Sequence, residues 1–212
     1  MRRSIHQEVF IMRRSIHLAV LASLATSLVC GTAWAQSQAA NAAAKLKPEV
    51  YTGTVIGIGG TMGGVSRGFT LSISGYTSDE DTQRFLDALK EFKQDGLLKA
   101  ISKEKKGWVA VDGHTGRDIN VIRTSMTEDG KQRIAIFFER WLQMYEVRQG
   151  TRSRDYPFAF GEFFIDEKGK GVGTFVPMAK IKFVVDKKSG KRTVELENFG
   201  TYPAHVILQR RK

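Results

Sequence analysis

Short polar turns divide the second half of this chain into strand-like segments, and their brevity limits how those segments can pair. From Gly107 onward such turns recur between β-branched and aromatic stretches: Asp112-Gly113, Glu128 to Gly130, Asp166 to Gly169 and Lys187 to Gly190. Connections this short can only join antiparallel neighbours, because a parallel crossover needs about a dozen residues or more. The sequence therefore predicts an antiparallel sheet.

The strands fall into two kinds by the pattern of their apolar residues. In 180–186 and 193–197 apolar residues alternate with Lys, Glu, Thr and Asp. This alternation predicts two strands, each with one face exposed to solvent. Segments 134–138 and 158–165 are apolar at both odd and even positions, so both faces of these strands should be buried. They should therefore lie centrally, with a helix or the opposite sheet wall over the second face of the sheet. Pro177 should bend or interrupt its long strand.

The first half contains a glycine-rich segment and one clear helix. Segments 49–58 and 67–75 flank the loop Gly57 to Gly64, which favours a loose hairpin, since no phosphate-binding motif follows it. A stripe of Phe85, Ala88, Leu89 and Phe92 predicts a helix, with Thr77 and Glu80 as a capping box. Asp95-Gly96 should interrupt it, and 97–101 should continue as a short helical turn.

These patterns together predict an α+β fold. We expect about nine to ten mostly antiparallel strands with one or two helices near residues 78–103. With so few helices to cover so many strands, a strongly curled sheet or barrel is the economical way to bury both faces.

The N-terminus has the pattern of a secretory signal peptide. Arg13 and Arg14 precede an apolar stretch from Leu18 to Val29, and Ala33-Trp34-Ala35 fits a cleavage site. Because Met1 to His6 is repeated at Met12 to His17, Met12 is an alternative start. A twin-arginine signal and lipidation of Cys30 are disfavoured, since no Phe-Leu pair follows the arginines and Val29 precedes Cys30.

This reading divides the chain into a signal peptide (1–35), a flexible leader (36–47) and a single β-rich domain (48–212). Cleavage would remove the only cysteine, Cys30, so the exported product would have neither a disulfide nor a thiolate. We expect export to the periplasm or the extracellular space, with no transmembrane span after cleavage. The predicted product stays basic, with a net charge of about +8 against +11 for the whole chain.

Few residues suggest catalysis or a metal site. Only His114 and His205 lie beyond the predicted signal and leader, and neither has a partner at helical metal-ligand spacing. Asp112 with Asp118 is a weak calcium pattern, and Ser153, His114 and Asp155 form a triple that any chain of this size allows. We therefore expect no cofactor, no metal and no catalytic residue.

The most unusual cluster is an arginine-rich loop between two apolar strands. In Arg152-Ser153-Arg154-Asp155-Tyr156, the guanidinium groups could clamp a carboxylate or phosphate, or Arg154 could pair with Asp155 in a solvated loop. Arg117-Asp118 is chemically similar to Arg154-Asp155 of this loop. The candidate ligand-binding residues are Arg117, Asp118, Arg152, Arg154, Asp155 and Tyr156, which would form a polar rim if the two segments meet at one end of the sheet.

Several segments resemble a group of uncharacterised exported bacterial proteins. They are Tyr51 to Thr54, Thr77 to Glu80, Gly116 to Arg123, Arg152 to Phe158, Gly169 to Thr174, Pro177 to Ile181 and Glu197 to Thr201, with Met178-Ala179 in place of the Ala-Ala of a Pro-Ala-Ala-Lys pattern. The resemblance covers most of the predicted exported domain. It implies an exported β-rich domain and no activity.

We expect a noncatalytic exported domain that binds a small anionic or amphipathic ligand, or an envelope-derived one, in or at the mouth of the sheet. One alternative is a basic envelope interaction or structural protein that contacts an anionic envelope component; another is a hydrolase of unknown substrate. An exported basic protein meets anionic envelope components more readily than nucleic acid, so no nucleic-acid partner is expected.

Overall fold

A computed structural model describes residues 48–57, 63–112, 114–140, 148, 150–185, 192–199 and 203–211. The predicted signal peptide and leader, the turn at 187–190 and part of the glycine-rich loop lie outside the described residues. The strands are β1 (Glu49–Ile56), β2 (Ser66–Ile73), β3 (Gly107–Val111), β4 (Arg117–Ile119), β5 (Val121–Met126), β6 (Gln132–Glu139), β7 (Phe158–Ile165), β8 (Lys170–Val185), β9 (Arg192–Asn198) and β10 (Ala204–Arg210). The helix α1 spans Asp79–Ile101, and a short 3₁₀ helix, here called the arginine turn, spans Arg152–Asp155.

The ten strands of the described chain form one antiparallel sheet, which confirms that part of the predicted fold. Their hydrogen-bonded order is β4-β3-β2-β1-β10-β8-β7-β6-β5, and β9 pairs with β8. Two of the predicted turns, at Gly130 and Gly169, make the short connections between β5 and β6 and between β7 and β8. Their φ values of 78° and 77° are left-handed, which glycine adopts without a steric penalty.

The two ends of this strand order are adjacent in the sequence. Only Asn120 separates β4 from β5, so the last residue of one end strand and the first residue of the other lie two positions apart. Among the described residues, however, no ladder of hydrogen bonds joins β4 to β5. The predicted strongly curled or closed barrel is therefore not confirmed.

One face of the sheet carries the larger apolar core. Aromatic rings meet in its middle, with Phe69 against Phe163 and Phe175 at centroid distances of 5.8 Å each, and Phe138 beside Phe175 at 6.3 Å. Eight strands supply its sixteen buried residues: Tyr51, Val55, Phe69, Leu71, Ile73, Val109, Ile119, Ile122, Ile134, Ile136, Phe138, Ala159, Phe163, Ile165, Val206 and Leu208. This face, here called the inner face because it carries the larger core, is filled by side chains.

The helix covers part of the other face. Phe85, Leu89, Leu97 and Ile101 pack against Phe158, Phe160, Val176 and Ala179 in a second buried cluster. Ala135 and Phe137 join this cluster, while Ile134, Ile136 and Phe138 belong to the first, so the central placement predicted for 134–138 is confirmed.

The helix differs from its predicted form in two respects. Phe92 is 61% exposed and not part of the buried stripe. The interruption falls at Lys93, whose φ of 57° and ψ of −148° are non-helical, and not at Asp95-Gly96. Gly96 instead allows a close approach, since a Cβ there would lie 2.3 Å from the Cβ of Phe92.

The helix begins with Ser78 as its N-cap, not with the predicted Thr77. The Ser78 hydroxyl accepts a hydrogen bond from the Asp81 amide at 3.0 Å. Thr77 is 3% exposed, and its hydroxyl accepts from the Ile122 amide at 3.0 Å, so it is committed to the edge strand β5. A hydroxyl that a strand amide already occupies is not available to cap the helix.

Pro177 lies where β8 changes partners. The register of β7 and β8 shifts by one residue between the pairs Phe158–Ala179 and Phe160–Val176. Before this point β8 pairs with β10, and after it with β9. The strand runs through the proline with a bulge, as proline in a sheet requires. In the described part of the chain, no helix is long and apolar enough to cross a membrane.

Candidate functional site

The end of β6 brings the two predicted polar segments to neighbouring positions. Arg117 donates through Nε and Nη2 to the carbonyl oxygen of Glu139, at 3.2 and 3.0 Å. The next residue, Arg140, donates through Nε to the Tyr156 carbonyl at 2.7 Å and through Nη2 to the Ser153 carbonyl at 2.8 Å. The Arg117 side chain and the arginine turn thus bind two consecutive residues.

The backbone of the arginine turn is held firmly. The Arg154 amide donates to the Thr151 carbonyl at 3.1 Å, and the Tyr156 amide to the Ser153 carbonyl at 3.0 Å. Ser153 is 7% exposed, and its hydroxyl lies 2.8 Å from that of Thr151. Because Ser153 points inward, the flanking Arg152 and Arg154 are exposed.

Neither exposed arginine has an ion-pair partner among the described residues. Arg152 and Arg154 make no ion pair with any residue that the structure describes, and the alternative pairing of Arg154 with Asp155 is not observed there. Asp155 is exposed, and its carbonyl accepts a hydrogen bond from Gln94 Nε2 at 3.3 Å. The turn therefore carries two exposed guanidinium groups without an ion-pair partner in the described part of the chain.

Tyr156 connects the arginine turn to the β8–β9 hairpin. It is 6% exposed, and its hydroxyl donates to Glu197 Oε1 at 2.5 Å. Its ring lies 4.9 Å from that of Phe199, and the ammonium nitrogen of Lys180 lies 5.9 Å from the ring centroid, within cation–π range. Lys182 forms an ion pair with Glu197.

The charges around Tyr156 alter its acidity and that of Glu197. The hydrogen bond to Glu197, together with burial, raises the pKa of Tyr156, and the positive charge of Arg152 opposes that rise. Hydrogen bonds from Lys182 and from Tyr156 lower the pKa of Glu197. At neutral pH the tyrosine is therefore a neutral donor and the glutamate an ionised acceptor, which makes this pair a structural link and not an acid–base couple.

Arg117 and Asp118 point to opposite faces of β4, as successive strand residues do. Burial lowers the pKa of Arg117, which stays protonated because the ordinary pKa of a guanidinium is so high. Asp118 forms an ion pair of 2.7 Å with Lys105 and lies opposite Trp108 in the register of β3 and β4. Arg117, Arg152, Arg154, Asp155 and Tyr156 thus lie around the end of β6, whereas the side chain of Asp118 does not join them.

Comparisons with known proteins add no family to this description. No protein-family model, no curated protein and no solved structure matches the chain.

Sequence reasoning missed four residues of this region. Arg140, Lys180, Lys182 and Glu197 were not among the predicted site residues, although the alternation of 180–186 did predict a wet face for the two lysines. Glu197 is 41 positions from its partner Tyr156, and no local pattern signals a contact of that separation. A single long basic side chain such as Arg140 also gives no local sign that it will bind a turn.

The weaker catalytic and metal patterns receive no support from these contacts. The Ser153 hydroxyl is paired with Thr151, and no described contact joins it to His114. No group of three or more His, Cys, Asp or Glu residues in the described part of the chain could hold a metal ion.

A second polar cluster lies at the opposite end of the inner face. The hydroxyls of Tyr51 and Tyr76 donate to the two carboxylate oxygens of Glu49, both at 2.9 Å. Arg210 donates to the Tyr51 hydroxyl at 2.7 Å and to Gln132 Oε1 at 2.9 Å. The cluster links the start of β1 and the end of β10 to the start of β6, so polar contacts lie at both ends of the apolar core.

Proposed function

We propose that this protein is a noncatalytic exported domain that binds a small anionic ligand at the end of β6, through Arg152 and Arg154 of the arginine turn. The observation that carries the proposal is the pair of exposed guanidinium groups on a turn whose backbone carbonyls are held by Arg140. The ligand class is a compound with a carboxylate or phosphate group, because the planar guanidinium fork matches those oxygens.

Two features favour binding at this turn over a generally basic surface. The anchored backbone lowers the ordering cost of binding, since the residues that carry the guanidinium groups are already positioned. Arg152 and Lys180 both interact with Tyr156, so a third cation lies close to the turn. Lys182 offsets the charge of Glu197 and leaves the local balance positive.

We propose further that the sheet curls strongly, so that the ligand site lies at the mouth of a barrel-like body. Three features support the curl. Only one residue connects β4 to β5, Arg117 on β4 donates hydrogen bonds to Glu139 on β6, and Gly53 closely approaches β10. A Cβ on Gly53 would lie 1.8 Å from the Ile207 carbonyl oxygen, and glycine is the residue that permits such bending. Because side chains fill the inner face, the ligand would bind at the rim and not inside.

The proposal is tested by calorimetric titration of the purified protein with inorganic pyrophosphate and with citrate at low ionic strength. We expect saturable binding that weakens about tenfold or more in the double variant Arg152→Ala/Arg154→Ala, because it removes two sets of charge-assisted hydrogen bonds. The matched control is Arg67→Ala/Lys90→Ala, which removes the same charge from two other exposed positions and should change the affinity less than about twofold.

Absence of saturable binding to either anion would show that the proposal is wrong. Equal weakening in the two double variants would also count against it, because binding would then follow total charge and not the arginine turn. A native mass spectrum of the protein purified from its source would identify a ligand that co-purifies with it, and that ligand should be acidic.

The second candidate function is a basic envelope interaction or structural role, which the net charge of about +8 for the predicted exported product favours. On this reading the protein would bind vesicles of anionic lipid at low salt and release them at about 0.5 M salt, where the screening length is only a few ångströms. The loss of affinity would be the same for both double variants. Specific weakening by the arginine-turn variant alone would exclude this role.

A further inference from the structure

A row of apolar side chains crosses the three neighbouring strands β10, β8 and β7 on the sheet face that carries α1, outside the part that the helix covers, and Thr54 of β1 borders it. In the pairing registers Thr54 of β1 lies beside Ile207 of β10, Ile207 beside Val172 of β8, and Val172 beside Phe164 of β7. Ile207 is 47% exposed and Val172 is 50% exposed. Because directly paired residues have Cβ atoms about 5 Å apart, these side chains form one continuous surface and not scattered exposed residues.

Polar residues border this row on both sides. Lys170, Gln209 and Thr52 pair in the next row toward one end of the strands. Glu162, Thr174 and His205 pair in the next row toward the other end, where Ile56 of β1 follows His205. The apolar strip is thus one side chain wide. It spans two gaps between strands, or about 10 Å, which suits one extended hydrocarbon chain better than the broad contact of a protein partner.

The row forms part of the floor of an open depression. The depression has a volume of about 740 Å³, and its lining includes Ile207, Val172 and Phe164. Sites for small molecules commonly have volumes of about 300–1,000 Å³ and combine an apolar lining with a few polar groups. The size and the lining therefore fit a small amphipathic molecule.

The charged residues in the lining favour an acidic head group. They are Lys131, Lys170 and Asp166. Lys131 is paired with Asp129 at 2.5 Å, and the Asp166 carboxylate accepts a hydrogen bond from the Lys170 amide at 2.8 Å. The exposed Lys170 ammonium makes no ion pair with a residue that the structure describes, so it is the available cation beside the apolar row.

We propose that this depression binds a free fatty acid, with its hydrocarbon chain along Phe164, Val172 and Ile207 and its carboxylate at Lys170. The site is independent of the anion site at the arginine turn. Lys131 lies next to the start of β6 at Gln132, whereas the arginine turn is held at the other end of the same strand, beyond Glu139.

The test is a titration of the ¹⁵N-labelled protein with decanoate below its micelle concentration, followed by amide chemical shifts. Decanoate should move the amides of 52–54, 170–172 and 207–209 and saturate, whereas acetate should leave them unchanged. The double variant Ile207→Gln/Val172→Thr should weaken decanoate about tenfold or more, because it removes the apolar floor. Lys170→Gln should weaken decanoate several-fold without affecting decanol, which has the same chain and no charge.

The matched control is Met126→Gln, which removes an apolar side chain that is 68% exposed on β5 and should leave the affinity unchanged. Unchanged affinity in the floor variant would overturn the proposal, as would shifts confined to the arginine turn or to the surroundings of Phe92. Movement of the same amides with protein concentration alone would identify a second copy of the chain as the occupant. Binding to micelles or vesicles but not to monomeric decanoate would identify a lipid surface instead, and either result would also overturn it.

Discussion

Tyr51 shows how one residue can belong to the apolar core and to a polar cluster at the same time. Its side chain is fully buried among the inner-face residues, while its hydroxyl contacts Arg210 and Glu49. Burial raises the pKa of Tyr51 to about 12; the hydrogen bond from Arg210 opposes this rise and Glu49 adds to it. The folded protein therefore keeps the phenolic proton at a pH where the unfolded chain loses it.

This proton linkage predicts a loss of stability at alkaline pH. The contribution of Tyr51 is fully present below the unfolded pKa of about 10 and is lost as pH rises toward the folded value of about 12. Tyr51→Phe has no phenolic proton, so its free energy of unfolding should fall less steeply over that window than that of the wild type. Urea denaturation at pH values across the window measures both slopes, and parallel curves would contradict the assignment. At neutral pH the variant should lose about 1–2 kcal/mol through the missing hydrogen bonds.

At the scale of the elements, the start of α1 separates the roles of two adjacent hydroxyl groups. Ser78→Ala removes the N-cap and should cost about 1 kcal/mol. Thr77→Val leaves the buried Ile122 amide without its acceptor and should cost about 1–3 kcal/mol. Denaturant unfolding of both variants, with Glu80→Ala as a control, measures these two losses of stability. If Ser78→Ala were silent and Glu80→Ala costly, the capping box first predicted at Thr77 would be correct after all.

Turn chemistry and apolar alternation predicted most of the elements, because both depend on neighbouring residues. The Glu128–Gly130 and Asp166–Gly169 turns, the wet face of Lys180 and Lys182, and the two-sided burial of 134–138 follow from local patterns of this kind. The kink at Lys93 does not, since the positive φ of a lysine has no sequence signature. Thr77 was misassigned because the demand of a distant strand amide outweighed a local capping preference.

The candidate site was predictable only in its charged loop residues. The two arginines that flank Ser153 are visible in the sequence. The carbonyl contacts of Arg140 and the pairing of Tyr156 with Glu197, however, depend on how the strands are ordered. The same holds for the apolar row, whose members Phe164, Val172 and Ile207 come from three strands and become neighbours only through their registers.

At the scale of the whole molecule, Asn120 lies between the two end strands of the sheet and contacts both α1 and β6. It is 7% exposed and lies between β4 and β5. Its Nδ2 donates to the carbonyls of Ile101 and Glu104 at 3.1 and 3.0 Å, and its Oδ1 accepts from the Glu139 amide at 3.0 Å. One side chain thus connects the end of α1, the link between the end strands and the end of β6.

Asn120→Ala should therefore affect more than local stability. Removing the three hydrogen bonds of this buried side chain should lower the free energy of unfolding by about 2–4 kcal/mol. Amide exchange should accelerate more in β4 and β5 than in the central strands β1 and β10, because the link between the sheet ends is loosened. Affinity for pyrophosphate should also fall, although Asn120 does not touch the arginine turn, since the Glu139–Arg140 segment that holds the turn loses its anchor.

The exposed amide variant Gln83→Ala is the control and should change none of the three quantities by a comparable amount. Uniform acceleration of exchange across all strands, with unchanged anion affinity in the folded variant, would show that Asn120 stabilises the fold without coupling the sheet ends to the site.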